Sequence, residues 1–415
     1  MKRNIVLYCF LFLAGVVYLI FEFNTKGDFK VFLDAGQLIK QNENIYIYNE
    51  LNHFKYYYSP LFALILSIFS GTSYLIPIIL WKILNLFFLY RIWILIEKHF
   101  IDLSGCSDIQ RNIFRICVLL SSFIFISKDL HLVQITIFIL YTVIEGLHLI
   151  LYKKQILYGS ILIALSLNIK ILPVVILPYL LYRREFLSGF YIICISFFLL
   201  IIPAFFIGFE YNTFLLTEWW KSINPFNQEH VIDINEKGFH SLSAVFSSLF
   251  TSDLGNEYNL QYRRNILDLN YRTIFYILNA VRLVLILYTV RILKLPPFRK
   301  SNSKVQTFYE ISYILLITPL IFPHQQIFGF LLVLPAMFYI IYVTFKEVIH
   351  NRKLKFKNGL LIFSILIINS SVLFGFLKNL LYHYKIMTYG VILLLVLFLL
   401  YPLKLMFVED KPEGI

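Results

Sequence analysis

The sequence predicts an all-α polytopic membrane protein, a bundle of about twelve transmembrane helices. Three observations carry that reading. Of 415 residues, 59% are hydrophobic and only 15% are charged, where a soluble domain carries about 25% charged residues. Apolar runs of near-spanning length recur from one end to the other; a bilayer core needs about 20 apolar residues per helix, fewer where polar groups are buried in a bundle. Lys and Arg collect between those runs, on one set of loops. Helices satisfy their own backbone groups in lipid, and the weak alternation of a membrane β-barrel is absent.

In chain order the first span is 4–21. Its apolar stretch is long and no small-x-small cleavage site follows, so it reads as a retained helix rather than a signal peptide. The run 60–96 is too long for one helix and is broken by Ser70-Gly71-Thr72-Ser73, which makes 60–70 a partial or re-entrant helix. Spans follow at 112–127 and 131–152. The next two, 156–168 and 171–182, are short and suit burial inside the bundle. The remainder fall at 187–208, 271–294, 307–322, 325–346, 358–376 and 386–407.

Basic residues favour the cytoplasmic side. They cluster at Lys2-Arg3, Lys153-Lys154, Arg183-Arg184, Lys294 to Lys304 and Lys346 to Lys357. Placing all of these inside gives a consistent alternation in the cell (plasma or inner) membrane with both termini cytoplasmic; only 97–111, of mixed charge, is ambiguous. The outside loops are then 22–59, 127–130, 168–170, 209–270, 323–326 and 377–385. The 209–270 loop holds eight acids against four bases, which suits an outside loop, and is long enough for short helices of its own. The net charge of +13 is therefore a topology signal, not a nucleic-acid footprint. There is no internal repeat, and the whole chain, 1–415, reads as one membrane domain.

Polar chemistry concentrates at the outside ends. In the first outside loop, Phe29 to Ile39 has apolar residues at near-helical spacing with charges between them, as in an interfacial amphipathic helix. Phe54 and Tyr56-Tyr57-Tyr58 suit headgroup depth. Asp28 closely follows the first span. Partial desolvation there raises a carboxyl pKa, as a general base requires; the same residue also suits the N-cap of the amphipathic helix. Further polar residues are Lys128, Asp129, His131 and Gln134; Asn168 and Lys170; His240 and Ser241; and His324, Gln325 and Gln326. Ionisable groups beside spans mark pathways or sites. Lys170, between two short spans, is a site candidate or a snorkelling lysine, and His324, after Pro323 at a helix break, a site candidate or a structural histidine.

Soluble-enzyme motifs are absent: there is no Gly-rich phosphate loop, nucleophile elbow or paired-Cys zinc spacing. Cys9, Cys106, Cys117 and Cys194 lie in helices or a cytoplasmic loop, so neither a disulfide nor a metal site is expected from them.

Over roughly residues 25 to 340 the chain resembles the family-87 glycosyltransferases, polytopic enzymes of the GT-C fold that use polyprenyl-phosphate sugars. Asp28-Phe29, Ala35-Gly36, Tyr46 and Tyr58-Ser59-Pro60 are similar to the family's Asp…Ala-Gly…Gly-x-x-x-Tyr…Tyr-Pro-Pro pattern, with Asn42 at the second Gly and Ser59 at the first Pro. His131 to Thr136 resembles its Gly-Gln-Val-Asn segment, though the Gly and Asn are lacking. Asn168 to Pro173 keeps its Lys-x-x-Pro, and His240-Ser241-Leu242 resembles its Asn-Gln-Ser-Leu. Thr318 to Gln326 resembles its Ser-Pro-x-Ser-Trp-x-His-His, keeping the first His only.

The resemblance implies a GT-C-like bundle with a catalytic first outside loop. It implies inverting transfer of a hexose, mannose before others, from a polyprenyl-phosphate donor to a lipid or glycan acceptor on the non-cytoplasmic face. Asp28 is then the base, and Lys170 and His324 meet the carrier phosphate with His131 or Gln134 nearby. Tyr46, Tyr58 and His240 stand on the acceptor loops. Asp34 is the reserve base, but six residues on in a helix it faces about 120° away from Asp28. One carboxylate fits inverting transfer, where glycoside hydrolysis uses a pair. No cofactor is expected and nothing demands a metal; the partners are donor, acceptor and membrane lipid, with no nucleic acid. The competing readings are a transporter or lipid flippase, which places polar residues at the bilayer midplane, and a surface-polysaccharide polymerase or ligase.

Overall fold

The computed structural model describes residues 13, 15–47, 55–224, 227, 230–232, 238–252, 260, 262–293, 297–299, 303–351 and 356–401. The expected placement of both termini lies outside these residues. Among them every named element is helical, and one isolated bridge joins Phe239 to Gln326. Four helices are long and apolar enough to cross a membrane: Leu75–Phe100, Phe186–Ile207, Tyr271–Leu293 and Ile327–Ile349. Two bent pairs raise that number to six if each is one span. Shorter apolar helices are Pro60–Phe69, Ile156–Ile169, Leu172–Tyr182 and Phe356–Ile368; the described residues thus do not confirm twelve crossings, and most of the expected first span, 4–21, lies outside them.

The chain forms two compact units, 1–95 with 127–224, and 96–126 with 225–415. The first unit is organised by its outside loop. Phe29–Lys40 is a helix that buries Phe29, Phe32, Leu33, Ala35, Gly36 and Ile39, the stripe that three- and four-residue spacing produces. Phe29 and Phe32 are 1% and 2% exposed, and burying each stabilises the unit by about 2–3 kcal/mol. The helix crosses Pro60–Leu66 backbone to backbone: a β-carbon at Gly36 would lie 2.9 Å from the Leu66 carbonyl carbon and the Ser67 nitrogen. That contact gives Ala35-Gly36 its physical reason.

Ser59 starts the second helix. Its backbone is extended, its Oγ accepts from the Phe62 N–H at 3.3 Å, and Pro60 takes the first helical position, where a missing N–H costs nothing. The helix ends before Gly71, whose φ of +81° turns the chain and breaks the long run as expected.

One expectation fails. The residues 127–130, expected as an outside loop, are the last full turn of a helix, Phe123–His131. The apolar spacing of Phe123 to Ile126 carries through the polar residues. The reversal comes later: Val133 takes a φ of +52°, the Gln134 N–H reaches back to the Asp129 carbonyl at 2.9 Å, and Thr136–Leu151 leaves at 118°. The 209–270 segment contains Phe209–Ile223 and Leu242–Phe250.

The second unit is built on Lys304–Ile321, buried at every position from Thr307 to Leu320. Tyr309 stacks on Phe398 with centroids 4.9 Å apart and meets Tyr339 at the same distance. In its apolar 18-residue stretch Ile327–Ile349 is 89% buried by protein and Tyr271–Leu293 only 11%; the former is a central helix and the latter a lipid-facing one. Glu97 of the ambiguous 97–111 segment pairs with Arg115 at 2.6 Å.

Gly36→Ala should lower the stability of the purified protein by about 1–3 kcal/mol, read as a fall in melting temperature in detergent. Gly359→Ala, where a β-carbon meets nothing within 4 Å, should show no fall.

Candidate active site

The first outside loop is tied down before it reaches Asp28. The buried Lys82 ammonium donates to the Glu22 carbonyl and, at 2.8 Å, to the Thr25 carbonyl. Gly27 then adopts a φ of +53°, and a β-carbon there would sit on the Leu132 carbonyl. The Asp28 N–H donates to that carbonyl at 2.9 Å.

Asp28 occupies the N-cap position of Phe29–Lys40, yet its side chain makes no capping bond. Its Oδ2 accepts from Gln134 Nε2 instead, so the capping explanation of this residue does not hold. Gln134 is fixed on every side. Its Oε1 accepts from the Tyr58 hydroxyl at 3.4 Å. Its carbonyl accepts from Trp81 Nε1 at 3.0 Å and Asn85 Nδ2 at 3.1 Å.

Tyr58 is held in turn. Its carbonyl accepts from the Tyr46 hydroxyl at 2.9 Å, and its ring meets Phe32 edge-on at 4.7 Å. The next residue, Ser59, donates to Asn168 Oδ1 at 2.9 Å. That bond anchors the end of Ile156–Ile169, after which Lys170 turns to extended backbone, φ −142° and ψ 127°. Its ammonium lies over the Tyr58 ring, 5.9 Å from the centroid, within the charge fields of Asp28 and Asp129. Lys170 is thus engaged with the site rather than snorkelling away from it.

Burial is the largest influence on Asp28 and pushes its carboxyl up to about 6, against the Gln134 hydrogen bond and the Lys170 charge, which pull it down. Burial brings the Lys170 ammonium down to about 8, against Asp129 and Asp28, which hold it up. The carboxylate is therefore a usable base near neutrality, and the ammonium stays mostly charged there.

Four of the expected site residues, Asp28, Gln134, Tyr58 and Lys170, form one cluster with Tyr46 behind it. His131 is at the rim: its side chain is 52% exposed and its Nδ1 lies 3.0 Å from Glu22 Oε1. Asp34 accepts from the Tyr74 hydroxyl at 2.7 Å. His240 and His324 belong to the second unit. His324, at a φ of +54°, stacks on Phe239 at 4.8 Å and meets His230 edge-on at 4.5 Å. His240 is fully buried; its N–H donates to the Gln325 carbonyl at 2.7 Å and its carbonyl accepts from Thr388 Oγ1 at 2.8 Å. Burial, and then the Lys385 charge, push its imidazole well below the usual range.

Sequence reasoning missed Trp81 and Asn85. Their four-residue spacing puts them on one helix face, the only signal that pointed to them. Among the described residues, no group of three or more His, Cys, Asp or Glu stands together to hold a metal.

Gln134→Leu should raise the titration midpoint of the Asp28 carboxyl by roughly one unit. Infrared difference spectra of the protonated carboxyl, assigned by its absence in Asp28→Asn, measure it; an unchanged midpoint would remove Gln134 from its role.

Comparison with known proteins finds a match over part of the chain. No curated protein and no solved structure matches it. The family model for glycosyltransferase family 87 matches residues 56–323. That stretch takes in Tyr58, Asp129, Gln134, Lys170 and His240, begins after Asp28 and ends one residue before His324. It covers more than half of the chain, which belongs to glycosyltransferase family 87 and is a membrane glycosyltransferase.

Proposed function

We propose that this chain transfers a hexose, mannose before others, from a polyprenyl-phosphate donor to a hydroxyl of a lipid or glycan acceptor. The reaction takes place on the non-cytoplasmic face of the cell membrane, in a GT-C-like bundle with both termini inside. The observation that carries the reading is the juxtaposition of Asp28, Gln134, Tyr58 and Lys170: a half-buried carboxylate with a fixed donor, and an ammonium over the neighbouring Tyr58 ring.

The chemistry follows from the charges. Asp28 takes the proton of the acceptor hydroxyl as that oxygen bonds to the anomeric carbon. The bond from that carbon to the phosphate oxygen breaks on the opposite side, so a β-linked donor gives an α-linked product. The departing carrier phosphate gains one negative charge, which the Lys170 ammonium offsets as a point charge. The Gln134 amide keeps Asp28 in one rotamer through the step. Tyr46 and Tyr58 give the loop rigid aromatic walls of the kind that sugar rings pack against.

Membranes carrying the wild-type chain should transfer label from radiolabelled polyprenyl-phosphate mannose to a lipid and glycan extract. Asp28→Asn, at equal expression, should lose at least about a hundredfold in rate; equal transfer by both would sink the assignment. The pH profile should be bell-shaped. Asp28 must be ionised, so the rate rises as pH passes about 6. Lys170 must be protonated, so it falls as pH passes about 8. A rate still rising at pH 9 would exclude Lys170 as the cation.

A further inference from the structure

A second amphipathic helix of the first unit keeps an apolar side outward. Phe29–Lys40 turns its apolar stripe into protein; Phe209–Ile223 does so with one side only. The chain reaches it from the span Phe186–Ile207, most of which faces lipid, since 17% of its apolar 18-residue stretch is buried by protein. Pro203 removes one backbone donor from the end of that span, and Gly208, at a φ of +88°, reverses the chain. The reversal is large. Asn212 Nδ2 donates to the Leu200 carbonyl at 3.1 Å, across 12 residues of sequence; an unbroken helix of that length would hold the two about 18 Å apart. Phe209–Ile223 therefore starts beside the last turns of the span rather than above them.

At 3.6 residues per turn this helix has three sides. One faces protein. Leu215 is fully buried and Trp219 is 9% exposed; Trp219 Nε1 donates to the Tyr57 carbonyl at 3.0 Å, and the Tyr211 hydroxyl donates to the Glu43 carbonyl. A second side, about 100–180° round from Phe209, carries Glu210, Glu218 and Lys221, the last two paired at 2.6 Å, with Phe214 stacked on Tyr211. On the third, Phe209, Thr213 and Trp220 lie within about 40° of one another. Phe209 is 63% exposed and Trp220 56%, and on the preceding turn Phe205 and Phe206 are 68% and 74% exposed. Thr213 presents no idle hydroxyl there: its Oγ1 donates to the Phe209 carbonyl at 2.8 Å, a bond that hides the polar group against its own helix.

We propose that this third side, with Phe205 and Phe206, is sunk in the membrane surface on the side of the first loop, so that Phe209–Ile223 is an interfacial helix whose partner is lipid. Three observations favour lipid over another occupant. The side is continuous with a span that already faces lipid. Its residues are the Phe and Trp that settle at headgroup depth, with no charge among them. The charges stand together on the neighbouring side, where water would meet them. The protein-facing side holds the Glu43 and Tyr57 carbonyls, so the membrane surface sets the height of the first loop, and of Tyr58 with it. The inference rests on the fold and not on the transfer mechanism.

The test uses the full chain in phosphatidylcholine vesicles, with its four cysteines replaced by serine and one spin label introduced at a time, through Phe209→Cys, Thr213→Cys, Glu210→Cys or Lys221→Cys. Collisions with oxygen, which dissolves in lipid, are compared with collisions with a water-soluble nickel chelate. The proposal expects oxygen to dominate at Phe209 and Thr213 and nickel at Glu210 and Lys221. The same reagent dominating at all four would overturn it. So would low collision rates with both reagents at Phe209 and Thr213, which would mean that protein covers that side; spin–spin broadening would then identify a second copy of the chain. Trp220 gives a reading that needs no cysteine replacement. Its fluorescence, taken as the difference between wild type and Trp220→Phe, should be quenched more by phosphatidylcholine brominated near the headgroup than by phosphatidylcholine brominated at the chain ends. No quenching by either lipid, or the reverse order, would overturn the interfacial placement.

Discussion

The site depends on one backbone hydrogen bond, from the Asp28 N–H to the Leu132 carbonyl at 2.9 Å. It joins the start of the first outside loop to the reversal between two helices. Only a glycine can precede it, because the chain passes at a positive φ directly against the Leu132 carbonyl. Lys82 braces the same stretch from below by capping two loop carbonyls. A backbone tie of this kind fixes where the carboxylate begins, and the Gln134 amide fixes where it ends. A carboxylate held at both points keeps one geometry, which is what the proposed base would need.

Polar groups inside the first unit follow a common pattern. Several are matched by a specific partner rather than by solvent, Lys82 by loop carbonyls and Glu145 by Arg91. Arg91 and Glu145 form a bidentate pair, with nitrogen–oxygen distances of 3.1 Å and 3.0 Å. Burial raises the Asp28 carboxyl to about 6 against the Gln134 hydrogen bond and the Lys170 charge, which lower it.

The bend after Phe123–His131 decides which residues serve the site. Had 127–130 been a loop, His131 and Gln134 would have stood together, as their sequence proximity suggests. As a helix end, the segment buries Asp129 inward and turns His131 out to Glu22. Val133 in the left-handed region then returns Gln134 to the interior, where Trp81 and Asn85 hold its carbonyl.

The sequence by itself determined the membrane class, the broken helix at Ser70–Ser73, the amphipathic first-loop helix, and Asp28 and Lys170 as site candidates. These follow from hydropathy, residue spacing and charge placement, which are local along the chain and survive without coordinates. It also carried the family resemblance later matched over 56–323. Only the tertiary structure decided that Asp28 is bound by Gln134, 106 residues away, rather than capping its own helix. It likewise decided that Asp129 is buried while His131 turns out to Glu22. Such choices depend on the direction in which a helix ends and on which backbone carbonyl a distant turn presents. Neither is written in composition or periodicity, because both are set by packing between segments far apart in the chain.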